Sequence, residues 1–371
     1  MRSFDTFICS ARKEQSTDET KVYHTDMAET SQRDIITIGA SSGGLEALLA
    51  IVTGLPKHLA ASLFVVLHVR ADAPSELPAI LSRAGPLAAV HASDRETIEQ
   101  GKIYVAPPDN HLLFKNGQMR VVRGPKENNH RPAIDPLFRS AAEIYGPRVI
   151  GIVLSGNLDD GTAGLFAIKR QGGIAIVQDP NDALFADMPR NALSATRADY
   201  CVPKSQIPVL IKRLTGEADS RKTGDVMATN DKMKKEDQIT AINSEAIIDE
   251  DKPGRPSAYG CPDCGGALWE IQDGEWLRFR CRVGHAFSAE GLLRSETKAV
   301  ESALWNAFRA LHENAALARR LAKRARDNHH TAIAEKYEHK SQRGEEEAEI
   351  IRSLLLRPLI GENETEDTEP V

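Results

Sequence analysis

Residues 34–44, DIITIGASSGG, carry the strongest fold signal in the chain. The run IITI predicts a strand without polar alternation, and the glycines after it predict a tight turn into a helical segment. The same strand-then-helix pattern recurs at SLFVVL (62–67), VIGIVL (149–154) and IAIVQ (174–178). Strands that are apolar on both faces are typical of a parallel sheet covered by helices on both sides. We therefore predict an α/β domain over residues 34–214, with a doubly wound, mainly parallel, Rossmann-like sheet.

Three shorter apolar runs interrupt this pattern. They are KIYVAPP (102–108), HLLFK (111–115) and MRVVR (119–123). Because Asn-Gly favours the tight turn of a hairpin, we expect an antiparallel hairpin that turns at Asn116-Gly117 and is inserted at one edge of the sheet.

The length of 371 residues predicts two or three domains. Residues 215–257 contain no Phe, Tyr or Trp, which predicts a linker with one short helix around 239–248. The other predicted segments are a disordered tail at 1–33, a cysteine-containing module at 258–289, a helical hairpin at 290–357 and an acidic tail at 358–371.

Composition excludes several classes of protein. The chain has 47 Lys+Arg against 53 Asp+Glu, a net charge of −6, which argues against a nucleic-acid-binding protein. No apolar run is long enough to span a bilayer, and the first 20 residues hold no secretory apolar stretch. We therefore expect a cytoplasmic protein without membrane insertion.

A serine, a histidine and an aspartate follow three of the predicted strands. Ser41 comes after IITIGA, His68 after SLFVVL, and Asp160 in the loop after VIGIVL. Sites in open α/β sheets form beyond the carboxyl ends of the strands, so these side chains are expected at one edge. They are the types that supply a nucleophile, a general base and an orienting carboxylate.

Each residue also has a structural explanation. The glycines around Ser41 fit a nucleophile elbow, but they also fit a plain turn or a phosphate-binding loop. A histidine in the position of His68 is often a hydrogen-bonded structural residue, and either Asp159 or Asp160 could cap the following helix. The chain order Ser, His, Asp differs from that of ordinary α/β-hydrolases.

Seven stretches, in order, resemble the catalytic domain of CheB-type protein-glutamate methylesterases. They are IGASSGGLEAL, VVLHV, IYVAPPDNHLL, RPAIDPLFRSAA, VLSGNLDDGTAGL, GGIAIVQDP and MPRNAL. The resemblance implies that Ser41, His68 and Asp160 form a catalytic triad. It also implies a serine ester hydrolase that removes methyl groups from glutamates on the cytoplasmic helices of methyl-accepting chemoreceptors, with glutamine deamidation as a second activity. The chemistry needs no cofactor, and the alternative is a non-catalytic regulator or scaffold that retains the fold.

The resemblance also addresses substrate binding. Backbone N–H groups near Ser42 and Asn157 are expected to stabilise the oxyanion, although Asn157 stands where the best-known members carry a methionine. Arg131 and Asp135, in the RPAIDPLF stretch, are expected to hold the substrate or a loop, or instead to form an ion pair, with Asp135 at a helix start. Only 33 residues precede the first strand, whereas the receiver domain of such enzymes needs on the order of 120. We therefore expect no control by a receiver domain in the same chain.

The cysteine-containing module holds a metal-binding pattern. Cys261 and Cys264 are separated by sixteen intervening residues from Cys281, which is followed by His285 in a C-x₃-H pattern. Three thiolates and one imidazole complete a tetrahedral zinc site without an open position, so we predict a structural zinc ion. The two helices that follow are predicted to dimerise, to dock a methyltransferase or another signalling partner, or to pack against the module.

Overall fold

The structure is a computed structural model that describes residues 32–71, 74–216, 231–273 and 276–357. The predicted tails lie outside these ranges, except for residues 32 and 33. None of the helices in the described ranges is both long enough and apolar enough to cross a membrane.

Residues 35–216 form the α/β region. Its strands are β1 (Ile35–Ala40), β2 (Ser62–Leu67), β3 (Ala88–His91), β4 (Lys102–Val105), β5 (His111–Lys115), β6 (Gln118–Val122), β7 (Val149–Val153), β8 (Ile174–Gln178) and β9 (Tyr200–Val202). Its helices are α1 (Gly44–Thr53), α2 (Leu77–Ala84), α3 (Ile134–Tyr145), α4 (Thr162–Arg170), α5 (Asp187–Ala195) and α6 (Ile207–Gly216), and a 3-10 turn covers Gly146–Arg148.

Seven of these strands form a fully parallel sheet in the order β3-β4-β2-β1-β7-β8-β9. Successive strand residues face opposite sides, so Ile36 and Ile38 pack in one core while Ile35 packs in the other. Helices α1, α2 and α6 cover the first face, and α3, α4 and α5 cover the second. The predicted doubly wound parallel fold is confirmed.

The predicted hairpin is confirmed in part. Strands β5 and β6 pair antiparallel, and the turn residues Asn116 and Gly117 both have positive φ, as this type of turn requires. The inclusion of KIYV was wrong, because β4 pairs in parallel with β2 and β3 inside the main sheet. Ile103, Tyr104 and Val105 are buried, and a short apolar run does not reveal the direction of its neighbours.

The chain continues into a second region. Its elements are α7 (Asp231–Thr240), α8 (Ser244–Ile248), β10 (Arg255–Gly260), β11 (Ala267–Asp273), β12 (Trp276–Cys281), β13 (Ala286–Ser288), α9 (Ala289–Asp327) and α10 (Thr331–Leu355). The four strands form one antiparallel sheet, hereafter the C-terminal sheet. Leu292 of α9 packs in its small apolar core, and α9 and α10 form a hairpin with alanines buried between them.

The predicted linker differs most from the structure. Instead of one short helix around 239–248, the described part of 215–257 holds α7 and α8, and α7 packs against α3. Glu236 and Thr240 of α7 are buried, at 2% and 0% exposure. The stretch lacks aromatic residues, but it is held by buried ion pairs of Glu236 and Asp237 together with apolar contacts of Met233 and Ile239.

Candidate active site

The carboxyl ends of β1, β2 and β7 bring three reactive side chains together. Ser41 follows β1, His68 follows β2, and Asp160 lies in the loop after β7. Ser41 Oγ lies 3.0 Å from His68 Nδ1, and His68 Nε2 lies 2.8 Å from Asp160 Oδ2. The side chains of His68 and Asp160 are 5% and 2% exposed, so the hydrogen bond between them is shielded from water, whereas Ser41 is half-buried.

Sheet register explains this meeting. Strand β1 lies between β2 and β7, and its last paired residue, Ala40, lies opposite Leu67 of β2. Ser41 and His68 are therefore the first residues beyond two adjacent strands. The chain leaves β1 towards β2 on one side, and β7 lies on the other, so the site is at a topological switch point of the sheet.

The hydrogen bonds define the state of the imidazole ring. A carboxylate accepts hydrogen bonds only, so His68 Nε2 carries the proton that faces Asp160. In the neutral ring, Nδ1 then has a free lone pair directed at Ser41 Oγ. Chymotrypsin-type triads use the two nitrogens the other way round. The chemical roles are the same, because one nitrogen takes the serine proton while the other is held by the carboxylate.

Asp160 lies in a cradle of hydrogen-bond donors. Besides His68, the groups that donate to its carboxylate are Asn128 Nδ2, Ile134 N, Asp135 N and Gly161 N, at 2.7–3.2 Å. Burial alone raises the pKa of Asp160. The hydrogen bond and charge of His68, together with the hydrogen bond from Ile134 N, outweigh burial, so the pKa lies below its ordinary value. The N-cap residue of α4 is Gly161, so neither Asp159 nor Asp160 caps that helix.

A glycine brings the β7 loop against the nucleophile. A Cβ atom on Gly156 would lie 2.7 Å from Ser41 Cβ and 2.1 Å from Met188 Sδ. The Ser41 N–H donates to Ser155 O at 3.0 Å, which holds the turn at Ser41 against the loop after β7. Because this N–H is already used, Ser41 itself is not an oxyanion donor.

Comparisons with known proteins show the family of this chain. A family model described as CheB methylesterase matches residues 36–211. A Leptospira interrogans protein is 39% identical over 182 residues, which cover 49% of this chain and 94% of that protein. The chain belongs to the CheB methylesterase family.

Two other relatives match this chain over only about half of their own length. Relatives from Pyrococcus abyssi and Thermotoga maritima, both named protein-glutamate methylesterase/protein-glutamine glutaminase, are 33% and 36% identical to it. The matches cover 49% and 47% of this chain and 50% and 52% of those proteins. The crystal structure of the Thermotoga maritima CheB methylesterase catalytic domain aligns with a TM-score of 0.47 at 34% identity, covering 49% of this chain and 98% of that domain.

A second histidine contacts the triad of this CheB methylesterase domain. His130 stacks on His68 with ring centroids 3.6 Å apart and planes 11° apart. Burial, and next the charge of His68, lower the pKa of His130 to about 3. His130 is therefore neutral near pH 7, and it covers one face of the His68 ring without adding charge. The sequence did not single it out, because it follows no strand.

The predicted oxyanion residues lie on two adjoining loops. Asn157 Nδ2 donates to Ser42 Oγ at 3.2 Å, so the turn after β1 and the loop after β7 are tied together beside Ser41. Leu158, next to Asn157, has a φ of 63°, and its carbonyl accepts from Asn191 of α5. The side chain of Asn157 is thus used structurally.

Arg131 and Asp135 have separate partners. Arg131 pairs with Asp109, with nitrogen–oxygen distances of 2.6 and 2.8 Å. Asp135 lies in the first turn of α3, where it accepts from Gly164 N and Asn128 Nδ2. Burial, and next the charge of Asp160, raise the pKa of Asp135 to about 7. The helix-start explanation therefore fits Asp135, and the arginine holds a loop.

A buried charge cluster joins the methylesterase domain to the second region. Arg139 of α3 pairs with Glu127 at 2.9 Å, and Arg280 of β12 pairs with the same carboxylate at 2.9 Å. Arg278 pairs with Glu236 of α7 at 2.9 Å. Burial alone raises the pKa of Glu127, but Arg139 and Arg280 outweigh it and hold the pKa well below its ordinary value. These ions remain charged because each is paired with opposite charge.

The predicted metal ligands converge at one end of the C-terminal sheet. The ligand atoms of Cys261, Cys264, Cys281 and His285 all lie within 4.8 Å of one another. The Sγ atoms of Cys264 and Cys281 are 3.7 Å apart, and His285 Nδ1 lies 3.7 Å from Cys261 Sγ and 3.5 Å from Cys281 Sγ.

These separations fit a zinc ion. With Zn–S near 2.3 Å and Zn–N near 2.0–2.1 Å, a tetrahedron has sulfur–sulfur edges of about 3.8 Å and sulfur–nitrogen edges of about 3.6 Å. The donor set, three sulfurs and one nitrogen, is also one that structural zinc sites use.

Proposed function

We propose that the protein is a protein-glutamate methylesterase that hydrolyses glutamate methyl esters on methyl-accepting chemoreceptors. The observation that carries the proposal is the hydrogen-bonded line from Ser41 Oγ through His68 to Asp160, with contacts of 3.0 and 2.8 Å. A hydrogen-bonded triad with buried His68 and Asp160 side chains and a half-buried Ser41 argues against a non-catalytic scaffold.

Acylation begins at Ser41. His68 Nδ1 takes the hydroxyl proton as Ser41 Oγ bonds to the ester carbonyl carbon. Asp160 stabilises the imidazolium that forms, and it holds the ring through Nε2. The tetrahedral intermediate then breaks its bond to the methoxy oxygen, which receives the proton from His68 and leaves as methanol. The product is a glutamyl ester of Ser41.

Deacylation repeats the steps with water. His68 takes a proton from water as its oxygen bonds to the acyl carbon, and Ser41 Oγ then leaves and is reprotonated. Glutamate is released, and the enzyme returns to its starting state. The same residues can expel ammonia from a glutamine amide, which is the second activity we propose.

Backbone N–H groups of Ser42 and Asn157 are the proposed oxyanion donors. Both residues adjoin Ser41, and the Asn157-to-Ser42 hydrogen bond sets their spacing. Removing a donor of this kind from an esterase or protease costs about 3–4 kcal/mol of transition-state stabilisation.

We further propose that Cys261, Cys264, Cys281 and His285 hold a structural zinc ion. With four protein ligands the ion has no position for substrate, so no catalytic step passes through it. It would supply folding free energy to a sheet whose apolar core is small.

Methanol release from a methylated chemoreceptor tests the catalytic proposal. The wild-type chain and a Ser205→Ala control, which changes an exposed serine, should release methanol at equal rates. Ser41→Ala should reduce the rate by a factor on the order of 10³ or more and abolish labelling by a fluorophosphonate. Equal release by wild type and Ser41→Ala would end the assignment.

A further inference from the structure

Residues 126–130, hereafter the bridging loop, lie between the C-terminal sheet and the triad. On one side the loop extends the edge of that sheet beside β13. Ala286 N donates to Lys126 O at 3.2 Å, and Asn128 N donates to Ala286 O at 2.8 Å. On the other side, His130 stacks on His68.

Asn128 connects these two sides with one side chain. Its Oδ1 accepts from Ser288 N of β13 at 3.1 Å. Its Nδ2 donates to Asp160 Oδ1 and to Asp135 Oδ2, both at 3.0 Å. Ser288 N is a donor and the carboxylates are acceptors, so this amide orientation alone satisfies every partner. The C-terminal sheet is therefore two hydrogen bonds away from the triad carboxylate.

We infer that Asn128 is a positioning residue through which the metal-bearing C-terminal sheet controls the turnover of the triad. The inference rests on the proposed esterase function and names a control for the same site. It predicts that loss of the metal lowers the rate even though no metal ligand touches the substrate.

The metal ligands lie next to the contacting strand. His285 directly precedes β13, and Cys281 N donates to His285 O at 2.9 Å, so two of the ligands set the position of that strand. If the ligands separate, Ala286 and Ser288 lose their register against the bridging loop. Asn128 then keeps its carboxylate partners but loses the contacts that hold the amide in place.

Two other contacts strengthen this connection. Ser288 Oγ donates to Asp159 Oδ1 at 2.8 Å, next to the triad aspartate in the chain. Glu127 of the bridging loop is held by Arg280 of β12 and by Arg139 of α3. The bridging loop is thus fixed to the C-terminal sheet by both backbone hydrogen bonds and buried charge.

The first experiment tests the positioning residue in the full-length chain with p-nitrophenyl acetate, a small activated ester. Asn128→Ala removes the hydrogen bonds to Asp160, Asp135 and Ser288. For the loss of the bond to the charged carboxylate of Asp160, we expect kcat to fall about tenfold to a hundredfold. KM should change less than threefold, and the rate of fluorophosphonate labelling of Ser41 should fall by the same factor as kcat. Ser295→Ala is the matched control, because it removes a hydrogen bond to Asn129 that does not reach the triad.

The second experiment tests the metal. Wild type and Cys201→Ser, which changes an exposed cysteine in β9, should contain about one zinc per chain by elemental analysis. Cys264→Ser should lose the zinc and lower kcat, but by less than Asn128→Ala does, because Asn128 keeps its hydrogen bond to Asp160. Because a variant can misfold, wild-type protein is also treated with a chelator, and addition of zinc should restore both the metal content and kcat.

The outcomes are separable. Unchanged kcat in folded Asn128→Ala overturns the positioning role, and zinc loss with unchanged kcat overturns control by the metal. Zinc content near zero in wild type overturns the metal assignment. If small-ester hydrolysis depends on Asn128 and zinc while methylated receptor is not hydrolysed, the inference stands and the proposed substrate fails.

Discussion

The close approach of Gly156 to Ser41 gives a sharp test of the site. Alanine at this position would place a Cβ 2.7 Å from Ser41 Cβ and 2.1 Å from Met188 Sδ. Carbon atoms prefer separations of about 3.5–4.0 Å, so the Ser41 contact requires a displacement of at least about 0.8 Å. The sulfur of Met188 lies in the outer part of a flexible side chain, but Ser41 Cβ is attached to a backbone held by Ser155 O.

The two overlaps have different consequences. Overpacking against Met188 should lower the free energy of unfolding by about 1–3 kcal/mol. Displacement of the nucleophile should lower kcat by about 30- to 100-fold, because a misplacement of about 1 Å costs roughly 10²-fold in rate. The Met188→Ala background removes the first overlap and leaves the second.

The assay combines urea unfolding with p-nitrophenyl acetate kinetics. Gly156→Ala should have a lower free energy of unfolding and a lower kcat than wild type. The double variant Gly156→Ala/Met188→Ala should be as stable as Met188→Ala alone but should keep the low kcat. Gly216→Ala, where nothing lies within 4 Å of the added Cβ, is the control and should change stability by less than about 0.5 kcal/mol. Wild-type kcat in a folded Gly156→Ala variant would refute the reasoning.

Three more predictions follow from charged groups. Asp160→Asn should lower kcat by about 10³–10⁴-fold, because an amide N–H facing His68 Nε2 favours the wrong tautomer; a loss below tenfold would contradict the triad. Arg278→Met should cost about 3–5 kcal/mol in denaturant unfolding by leaving Glu236 partly unpaired, whereas Arg255→Met, at an 82% exposed arginine, should cost under 1 kcal/mol. Burial raises the pKa of Asp159 to about 7, so the stability that this proton contributes is present below pH 4 and is lost as the pH rises to 7. Asp159→Asn should remove this loss of stability, which is at most about 4 kcal/mol. If the free energies of unfolding of wild type and Asp159→Asn change in parallel between pH 4 and 7, the prediction is wrong.

The triad could be inferred from sequence because its residues obey a rule of sheet geometry. Ser41 and His68 each follow a strand, and adjacent parallel strands end at the same edge. Asn128 and His130 obey no such rule. Asn128 has a φ of 49° in an irregular loop, and its partners are 7 to 160 residues away in the chain.

The structure of the second region was harder to predict from sequence, for a related reason. Sequence patterns reveal apolar faces, and α7 buries charge instead. Glu236 in DKMKKEDQIT reads as a solvated residue until Arg278 and Arg280 are known to meet it. The convergence of Cys261, Cys264, Cys281 and His285 could be predicted because the motif is local in sequence, whereas the sheet around them was expected only as a compact module.

The buried charge cluster has a consequence for how the chain unfolds. Its members come from the bridging loop, α3, α7 and β12, so removal of any one segment leaves ions in a site that excludes water. If one region unfolds while the other stays folded, the folded region keeps unpaired charges in a poorly solvated interior, which costs free energy. The methylesterase domain and the C-terminal sheet should therefore share one cooperative calorimetric transition, although a family model covers only the first of them.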